Sequence, residues 1–203
     1  EGAEHVETVM GFPRYWDGDY WNFKIDEFIA NNKFHLTKAK ARRKGFSYKR
    51  GSQAANTINL FPNVTVTLAA DQLAYLTDKG ATTFMAKKCL DHFEEHTFWK
   101  RGYISEAIDD ILMGYRVSTK GLKNFGWLSN LYSVAIGKNE SAAVGKKAIE
   151  IDFEEAGKCP NLQKALDVTL SNTESGAISV GTIRIYGTGG TKGANWAAFS
   201  KAF

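Results

Sequence analysis

Short apolar or alternating runs are separated by longer amphipathic stretches along most of the chain. The short runs predict strands at residues 33–39, 64–69, 111–119, 131–135, 148–153 and 178–186. Helical spacing of apolar positions predicts helices over residues 47–58 and 71–99, the second interrupted near Gly80. Strands that alternate with helices favour an α/β fold with a largely parallel sheet, in which ligands bind at the carboxyl ends of the strands.

The composition is that of a single globular domain. The 203 residues are 43% hydrophobic and 24% charged, which is enough apolar material for a core without covalent staples. The sequence contains no apolar run near the roughly 20 residues of a membrane span and no signal peptide, so no membrane association is expected. Because the chain starts at Glu1, we expect it to be a fragment of a longer protein.

Two cysteines, Cys89 and Cys159, do not make a disulfide framework and favour a reducing compartment. Cys89, His92 and His96 have a spacing that is compatible with metal binding on one helix face. Nothing nearby supplies a fourth ligand or an open catalytic position, so no zinc site is expected.

Positive charge is concentrated in one segment. Residues 38–50 hold seven basic residues among thirteen, and the remaining 19 Lys and Arg face 22 Asp and Glu, which leaves a formal net charge of +4. This local concentration predicts one anionic target.

The basic segment resembles a phosphate loop with a displaced lysine. The common loop, G-x-x-x-x-G-K-[ST], cradles phosphates with its backbone N–H groups, and its lysine reaches the β- and γ-phosphates. Here Gly45 and Ser47 keep the last glycine and the hydroxyl, whereas Phe46 takes the position of the lysine. Lys40 stands where the first glycine would be and could reach the same phosphates. The alternative is a basic strand-to-helix turn that binds no nucleotide.

A second candidate segment is the acidic end of the strand predicted at residues 148–153. Mg²⁺ needs hard oxygen ligands near the loop hydroxyl, and an attacking water needs a positioned base. We assign Glu154 to the metal, through water, and Glu155 to activation of the water. Asp152 is a rival for the metal role, because Asp is the usual residue there. The alternative is a solvated acidic turn.

The third segment, residues 185–191, ends the last predicted strand in a glycine-rich turn that offers the hydroxyl of Thr188. Such a turn could sense the γ-phosphate and relay hydrolysis to moving parts, since glycine permits large backbone changes. The alternative is an ordinary tight loop.

These segments, in this order, resemble the N-terminal ATPase domain of the large terminase subunit of tailed bacteriophages, over about residues 33–203. Residues 40–47 (KARRKGFS) are similar to that family's variant Walker A, and residues 153–161 (FEEAGKCPN) to the end of its Walker B strand. Residues 145–147 (GKK) also look like the family, and residues 186–191 (YGTGGT) are similar to its coupling motif.

The resemblance implies a P-loop NTPase fold of the RecA-like (ASCE) class over residues 1–203, with ATP and Mg²⁺ as ligands. It implies nucleotide contacts from the loop residues Lys40, Ala41, Arg42, Arg43, Lys44, Gly45, Phe46, Ser47 and Tyr48. It implies catalytic roles for Glu155, Lys40, Arg42 and Thr188, and metal binding by Ser47 and Glu154, with Asp152 left open. Tyr15 or Trp16 would stack on the base.

The resemblance further implies a motor that hydrolyses ATP to translocate double-stranded DNA into a procapsid. Its partners would be DNA, the portal protein, the small terminase subunit and further copies of the chain in a ring. It would work in the cytoplasm of the infected bacterial host, transiently on the procapsid portal. The family's C-terminal nuclease domain is expected to be absent from this fragment, and nuclease activity with it.

Two other functions stay open on the sequence. A helicase-like P-loop ATPase would share the chemistry but unwind strands. A non-enzymatic, basic nucleic-acid-binding α/β module would use the same loop to contact DNA phosphates and never ATP.

Overall fold

A computed structural model describes residues 15–41, 45–96, 102–118, 122–137, 139–143, 147–175 and 178–188. The described helices are α1 (Asp17–Asn32), α2 (Phe46–Leu60), α3 (Ala74–Thr77), α4 (Thr82–His96) and α5 (Leu162–Thr169). The first strands are β1 (Leu36–Ala39), β2 (Thr65–Ala70), β3 (Tyr103–Ala107), β4 (Asp110–Met113), β5 (Tyr115–Ser118) and β6 (Leu122–Phe125). The later strands are β7 (Asn130–Ala135), β8 (Glu150–Phe153), β9 (Glu174–Ser175), β10 (Ile178–Ser179) and β11 (Thr182–Gly187).

The main sheet has seven strands in the order β1-β11-β8-β2-β7-β4-β3. The strands from β1 to β7 in that order are parallel, and β4 and β3 run antiparallel at the far edge. The carboxyl ends of the parallel strands therefore lie along one edge of the sheet. The predicted α/β fold with a mostly parallel sheet is confirmed.

Helices cover both faces of the sheet, and each face has its own apolar cluster. On one face α2 and α4 pack against β2 and β7, with Ile58, Leu68 and Leu90 fully buried. On the other face α5 packs against β8 and β11 through Ile151 and Leu162. Burying each such side chain contributes roughly 1.5–3 kcal/mol.

Strand β8 shows how alternation positions the candidate site. Ile151 and Phe153 belong to the cluster under α5, so Glu150, Asp152 and Glu154 face the side of α2. β8, an inner strand of the sheet, is thus apolar on one face and acidic on the other.

Several predicted boundaries were wrong. The predicted strand 111–119 is divided at Gly114 into β4 and β5, which belong to different sheets. Gly114 has φ 141°, and a Cβ there would lie 2.5 Å from the carbonyl oxygen of Phe125, so only glycine fits this corner. The predicted strand 178–186 is likewise divided into β10 and β11, and residues 122–125 form β6.

Helix α1 was not predicted, because its pattern is inverted. Asn22, Asp26 and Ile29 are buried, whereas Trp21 and Phe28 are exposed. The buried polar face meets charged groups of the sheet: Lys38 Nζ donates to Asn22 Oδ1 at 2.7 Å. A prediction that expects apolar residues on the buried face of a helix does not detect such a helix.

Across the described parts of the chain, no helix is long and apolar enough to cross a membrane.

Candidate active site

The three segments singled out in the sequence follow three adjacent strands. β1, β11 and β8 are neighbours in the sheet, and all three end at the same edge. The backbone N–H of Lys40 donates to the carbonyl oxygen of Gly187 at 2.8 Å, which carries the β1–β11 pairing one residue further. Lys40, Thr188 and the pair Glu154 and Glu155 are consequently brought together.

Lys40 lies between the two glutamates. Its Nζ is 2.7 Å from Oε2 of Glu154 and 3.5 Å from Oε1 of Glu155. The side chains of Lys40 and Glu154 are only 9% and 3% exposed, so this ion pair is largely shielded from water. A buried pair of this kind adds little net stability, because desolvation offsets most of the attraction.

Phe46, in the position where a phosphate loop normally has lysine, supports the lysines of β1. Its ring lies 5.0 Å from Lys40 Nζ and 5.6 Å from Lys38 Nζ, within the range of cation–π attraction. The same ring packs edge-on against Tyr186 of β11 with centroids 4.5 Å apart. Gly45, with φ 65°, precedes Phe46 and begins α2 in the left-handed conformation that favours glycine. The predicted order of strand, glycine turn and helix is confirmed.

Glu155 adopts an uncommon backbone conformation for a non-glycine residue, with φ 49°. Its carboxylate accepts a hydrogen bond from Thr188 Oγ1 at 3.3 Å and lies 3.5 Å from Lys158 Nζ. Lys158 in turn lies over the ring of Tyr75 at 4.5 Å. Glu155 therefore contacts the ends of β1 and β11 as well as its own turn.

Glu154 is held on both carboxylate oxygens. Oε1 accepts a hydrogen bond of 2.6 Å from Thr82 Oγ1, and Oε2 meets Lys40. Thr82 is the first residue of α4 and is buried. The orientation of Glu154 is thus fixed by two elements besides its own strand.

A cavity of about 290 Å³ opens beside this cluster at the start of α2. It is lined by Lys40, Ala41, Gly45, Phe46, Ser47, Tyr48, Gly80, Glu155, Lys158 and Thr188. Lys40, Lys158 and the N-terminus of α2 offer donors suited to phosphate groups, while Glu154 and Glu155 balance the charge of the two lysines. A second cavity, of about 530 Å³, lies near α5 and has no Lys or Arg among the described residues of its lining.

Three residues that line the cavity, Ser47, Glu155 and Thr188, carry oxygen atoms of the hard type that Mg²⁺ prefers. Glu154 is not part of the lining, and its carboxylate is paired with Lys40. Among the side chains that the structure describes, no group of three or more His, Cys, Asp or Glu could hold a metal ion by protein ligands alone.

Asp152 lies on the same face of β8 as Glu154 but deeper, in a separate ion-pair network. It is fully buried and pairs with Arg50 of α2, which also donates to Glu150 Oε2 at 3.0 Å. Arg184 Nη1 lies 3.8 Å from Asp152 Oδ1. Burial raises the pKa of Asp152 to about 6, against the opposing effect of the two arginines.

The remaining predicted residues lie away from the cavity or outside the described parts of the chain. Arg42, Arg43 and Lys44 fall outside the described residues. Tyr15 and Trp16 are 64% and 63% exposed and do not line the cavity.

The start of α1 is nevertheless tied to the start of α2. Asp19 forms an ion pair with Lys49, in the first turn of α2, and accepts a hydrogen bond of 2.9 Å from the backbone N–H of Trp16. The base-stacking role of Tyr15 or Trp16 stays a prediction.

Two residues of the cluster were missed by sequence reasoning. Lys158 stands three residues after Glu155, a separation that brings side chains together in a helical turn, so it could have been found. Thr82 gave no local signal, because only the packing of α4 against the sheet brings it to Glu154.

No protein-family model and no curated protein matches the chain. Several solved structures do match the chain. The large terminase ATPase domain of Thermus phage P74-26 superposes with a TM-score of 0.56 at 16% identity, over 83% of this chain and 63% of that one. The large terminase of bacteriophage HK97 gives 0.55 at 13% identity, over 93% and 36% of the two chains.

The large terminase of a thermophilic bacteriophage, in complex with ADP, gives a TM-score of 0.51 at 10% identity, over 78% and 34%. This chain thus spans less than two thirds of the length of each of these proteins. At these identities the likeness is one of fold. The chain has the α/β fold of the ATPase domains of phage large terminases, the fold that the resemblance implied.

Proposed function

We propose that this chain is the ATPase domain of a viral DNA-packaging motor, which hydrolyses ATP with Mg²⁺ to drive double-stranded DNA into a procapsid. One observation carries the proposal. Lys40, at the end of β1, lies within 2.7 Å of Glu154 and 3.5 Å of Glu155, at the end of β8, beside a cavity at the start of α2. A phosphate-binding cation, a metal-binding acid and a base are the groups that phosphoryl transfer requires.

Lys40 takes the role of the phosphate-loop lysine. It extends from the end of β1, and the ring of Phe46 beside it holds the ammonium at the cavity wall. In the structure Glu154 and Glu155 balance its charge. Phosphate oxygens would replace a carboxylate as its partner, so binding needs no new cation to be brought into the site.

Glu155 acts as the base that orients and deprotonates the attacking water. Lys40, Lys158 and the hydroxyl of Thr188 fix its carboxylate at the cavity surface. A base must lie within hydrogen-bond reach of the proton that it takes, and this anchoring provides that geometry. Thr188 couples the site to β11, because a change at Glu155 alters its hydrogen bond.

Ser47 and Glu154 would hold Mg²⁺, with Asp152 as the deeper alternative. The ion, if bound there, would supply positive charge that neutralises the negative charge developing on the transferred phosphoryl group. Thr82 fixes the orientation of the Glu154 carboxylate beside Lys40 by its hydrogen bond of 2.6 Å.

The structural neighbours support this function at the level of fold, since they are large terminases and one of them contains ADP. By extension from them, the partners would be duplex DNA, the portal protein, the small terminase subunit and further copies of this chain in a ring. The place of action would be the cytoplasm of the infected host, transiently on the procapsid portal.

The test is ATP hydrolysis with and without Mg²⁺ by the wild-type chain, Lys40→Ala and Glu155→Gln. Glu155→Gln should keep nucleotide binding, seen as a thermal shift, and lose hydrolysis by about 10²- to 10⁴-fold. Lys40→Ala should bind nucleotide about 10- to 150-fold more weakly and should also lose hydrolysis. Lys164→Ala and Glu174→Gln, at exposed positions far from the cavity, are the matched controls and should behave as wild type.

Other outcomes would select the rival functions. If nucleotide leaves the melting temperature of every variant unchanged, the chain is a DNA-binding module and the motor assignment fails. If hydrolysis is accompanied by separation of duplex strands, the helicase-like function is favoured.

A further inference from the structure

We propose that the β5–β6 hairpin is a contact surface for the phosphates of duplex DNA, at the end of the sheet opposite the candidate active site. The inference rests on the proposed function and supplies it with a DNA-binding surface. Arg116 and Lys123 are the residues that carry it.

The hairpin leaves the sheet at the end opposite the cavity. β4 runs antiparallel to β7, so its last residue, Met113, lies at the amino-terminal ends of the parallel strands. The chain then forms β5 and β6, which pair with each other in a separate two-stranded sheet, and enters β7 at Asn130. The hairpin is therefore an insertion between two strands of the main sheet.

The charge of this insertion is positive and uncompensated. Residues 111–139 contain no Asp or Glu, and their basic residues are Arg116, Lys120, Lys123 and Lys138. Arg116 and Lys123 are exposed, and neither forms an ion pair with any residue that the structure describes. Some exposed lysines elsewhere, such as Lys24 and Lys88, lie within 4 Å of a carboxylate, whereas Lys33, Lys79, Lys147 and Lys164 do not lie so close to any carboxylate in the described parts of the chain. The hairpin is therefore set apart by its lack of any acidic residue rather than by unpaired cations alone. An unpaired basic surface is the electrostatic signature of binding to a polyanion.

The strand register distributes the two cations over both faces of the ribbon. Arg116 is opposite Asn124 on one face, and Lys123 is opposite Val117 on the other. A two-stranded ribbon is narrow enough to enter the major groove of a duplex, which places both faces near phosphate backbones. The arrangement offers charge and amide groups to the backbone, so the contact expected is independent of sequence.

The hairpin is fixed at its base, although an isolated two-stranded ribbon is only marginally stable. Tyr115 and Phe125 stack across the strands with ring centroids 6.2 Å apart. The backbone N–H of Gly114 donates to Gly102 at 2.7 Å, and Trp127 Nε1 donates to the carbonyl oxygen of Ile58 at 3.0 Å. A preorganised ribbon loses less freedom when it binds.

The anchor at Ile58 also connects the hairpin to the candidate active site. Ile58 lies in the last turn of α2, whose first residue, Phe46, lines the cavity. A helix of this length spans roughly 20 Å as a rigid element. A displacement at the phosphate loop would thus reach the DNA-contacting ribbon through one helix.

The test is the salt dependence of binding to a short fluorescein-labelled DNA duplex, followed by fluorescence anisotropy. The double variant Arg116→Ala/Lys123→Ala should bind at least about tenfold more weakly at low salt, and the slope of log K against log salt should fall by about 2. Lys88→Ala/Lys164→Ala removes the same charge from exposed positions outside the hairpin and should leave the slope as in wild type. The double variant Arg116→Lys/Lys123→Arg keeps both positive charges and should show the wild-type slope.

The inference is overturned if the slope of the Arg116→Ala/Lys123→Ala variant equals that of wild type, if both double variants weaken binding equally, or if the wild-type chain does not bind the duplex. Thermal unfolding of each variant checks that the fold is kept. ATP hydrolysis by the same preparations tests the proposed function separately. If the hairpin variant changes the salt slope but the wild-type chain does not hydrolyse ATP, the DNA-contact surface is upheld and the ATPase function is rejected. If the chain hydrolyses ATP but the hairpin variant leaves the slope unchanged, only the DNA-contact surface is rejected.

Discussion

The Nζ of Lys40 and the Oε2 of Glu154 lie 2.7 Å apart, although 114 residues separate them in the sequence. Their strands, β1 and β8, are not neighbours, because β11 lies between them. Lys40 therefore reaches over the end of β11 to meet the acidic end of β8. This contact joins the two sequence segments that were assigned to phosphate binding and to metal binding.

Removal of the Thr82 hydroxyl should weaken Mg²⁺ binding at the site without abolishing it. Thr82→Val leaves Oε1 of the buried Glu154 without its 2.6 Å donor, which should cost about 1–3 kcal/mol of stability. Because Glu154 then turns more freely, the Mg²⁺ concentration for half-maximal ATP hydrolysis should rise. Thr82→Ser keeps the hydroxyl and should stay close to wild type in both respects. Equal Mg²⁺ dependence in Thr82→Val and wild type would count against a positioning role.

The metal role of Glu154 and the rival Asp152 can be separated by two variants. Glu154→Gln should raise the Mg²⁺ requirement of hydrolysis strongly, because the oxygen ligand loses its charge. Asp152→Asn should lower the free energy of unfolding, since Arg50 loses its buried partner, while the Mg²⁺ requirement stays near that of wild type. Mg²⁺ titrations and urea unfolding of both variants give the answer. The opposite pattern would assign the metal to Asp152.

The parts of this site that the sequence predicted are those with local signals. Lys40 and Glu155 follow strand ends, and glycine or charge marks both segments in the sequence, so their chemistry could be proposed in advance. The turn at Gly45 could be predicted from the sequence, because glycine readily takes the left-handed conformation that the turn requires. The strand order, by contrast, has no local signal. Nothing near Thr188 indicates that β11 lies between β1 and β8.

The missed elements have physical reasons as well. Helix α1 buries Asn22 and Asp26 against charged groups of the sheet, which inverts the expected pattern. The hairpin β5–β6 was hidden because Gly114 divides one continuous β-rich stretch into two strands of different sheets. In both cases a tertiary partner decides which residues are buried.

Loss of Arg50 should be among the most damaging single changes in the protein. Arg50 is 1% exposed and pairs with Asp152 and Glu150, so Arg50→Met removes the main partner of the fully buried Asp152 and leaves Glu150 with Arg184 as its one cationic partner among the described residues. Unfolding in urea should show a loss of about 3–5 kcal/mol. The double variant Arg50→Met/Asp152→Asn removes one of those charges and should be more stable than Arg50→Met alone. Strictly additive effects would show that the two groups do not interact.

His35 should make the stability depend on pH. Its Nδ1 accepts a hydrogen bond of 3.1 Å from the backbone N–H of Ile183, which requires the neutral ring, and partial burial lowers the pKa of His35 below its usual value. As pH falls below about 6.5 the unfolded chain takes up a proton first, so this contribution to stability is present at higher pH and lost on acidification.

The comparison is urea unfolding of wild type and His35→Gln at about pH 7.5 and about pH 5.5. The glutamine offers an acceptor that does not titrate, and all other groups are shared. The loss of stability on acidification should be larger for wild type than for His35→Gln. Identical losses in the two proteins would show that His35 does not contribute.

The most direct test of the account is the affinity for ATP of Lys40→Ala compared with Lys38→Ala. Both lysines come from the β1 segment and lie over the ring of Phe46, but Lys38 Nζ is turned to Asn22, at 2.7 Å, and Asp26. Of the two, Lys40 lines the cavity and Lys38 does not. Loss of one charge-assisted hydrogen bond is worth about 1.5–3 kcal/mol, so Lys40→Ala should bind Mg²⁺-ATP about 10- to 150-fold more weakly, whereas Lys38→Ala should stay close to wild type. Equal affinities of wild type and Lys40→Ala would contradict the displaced-lysine site.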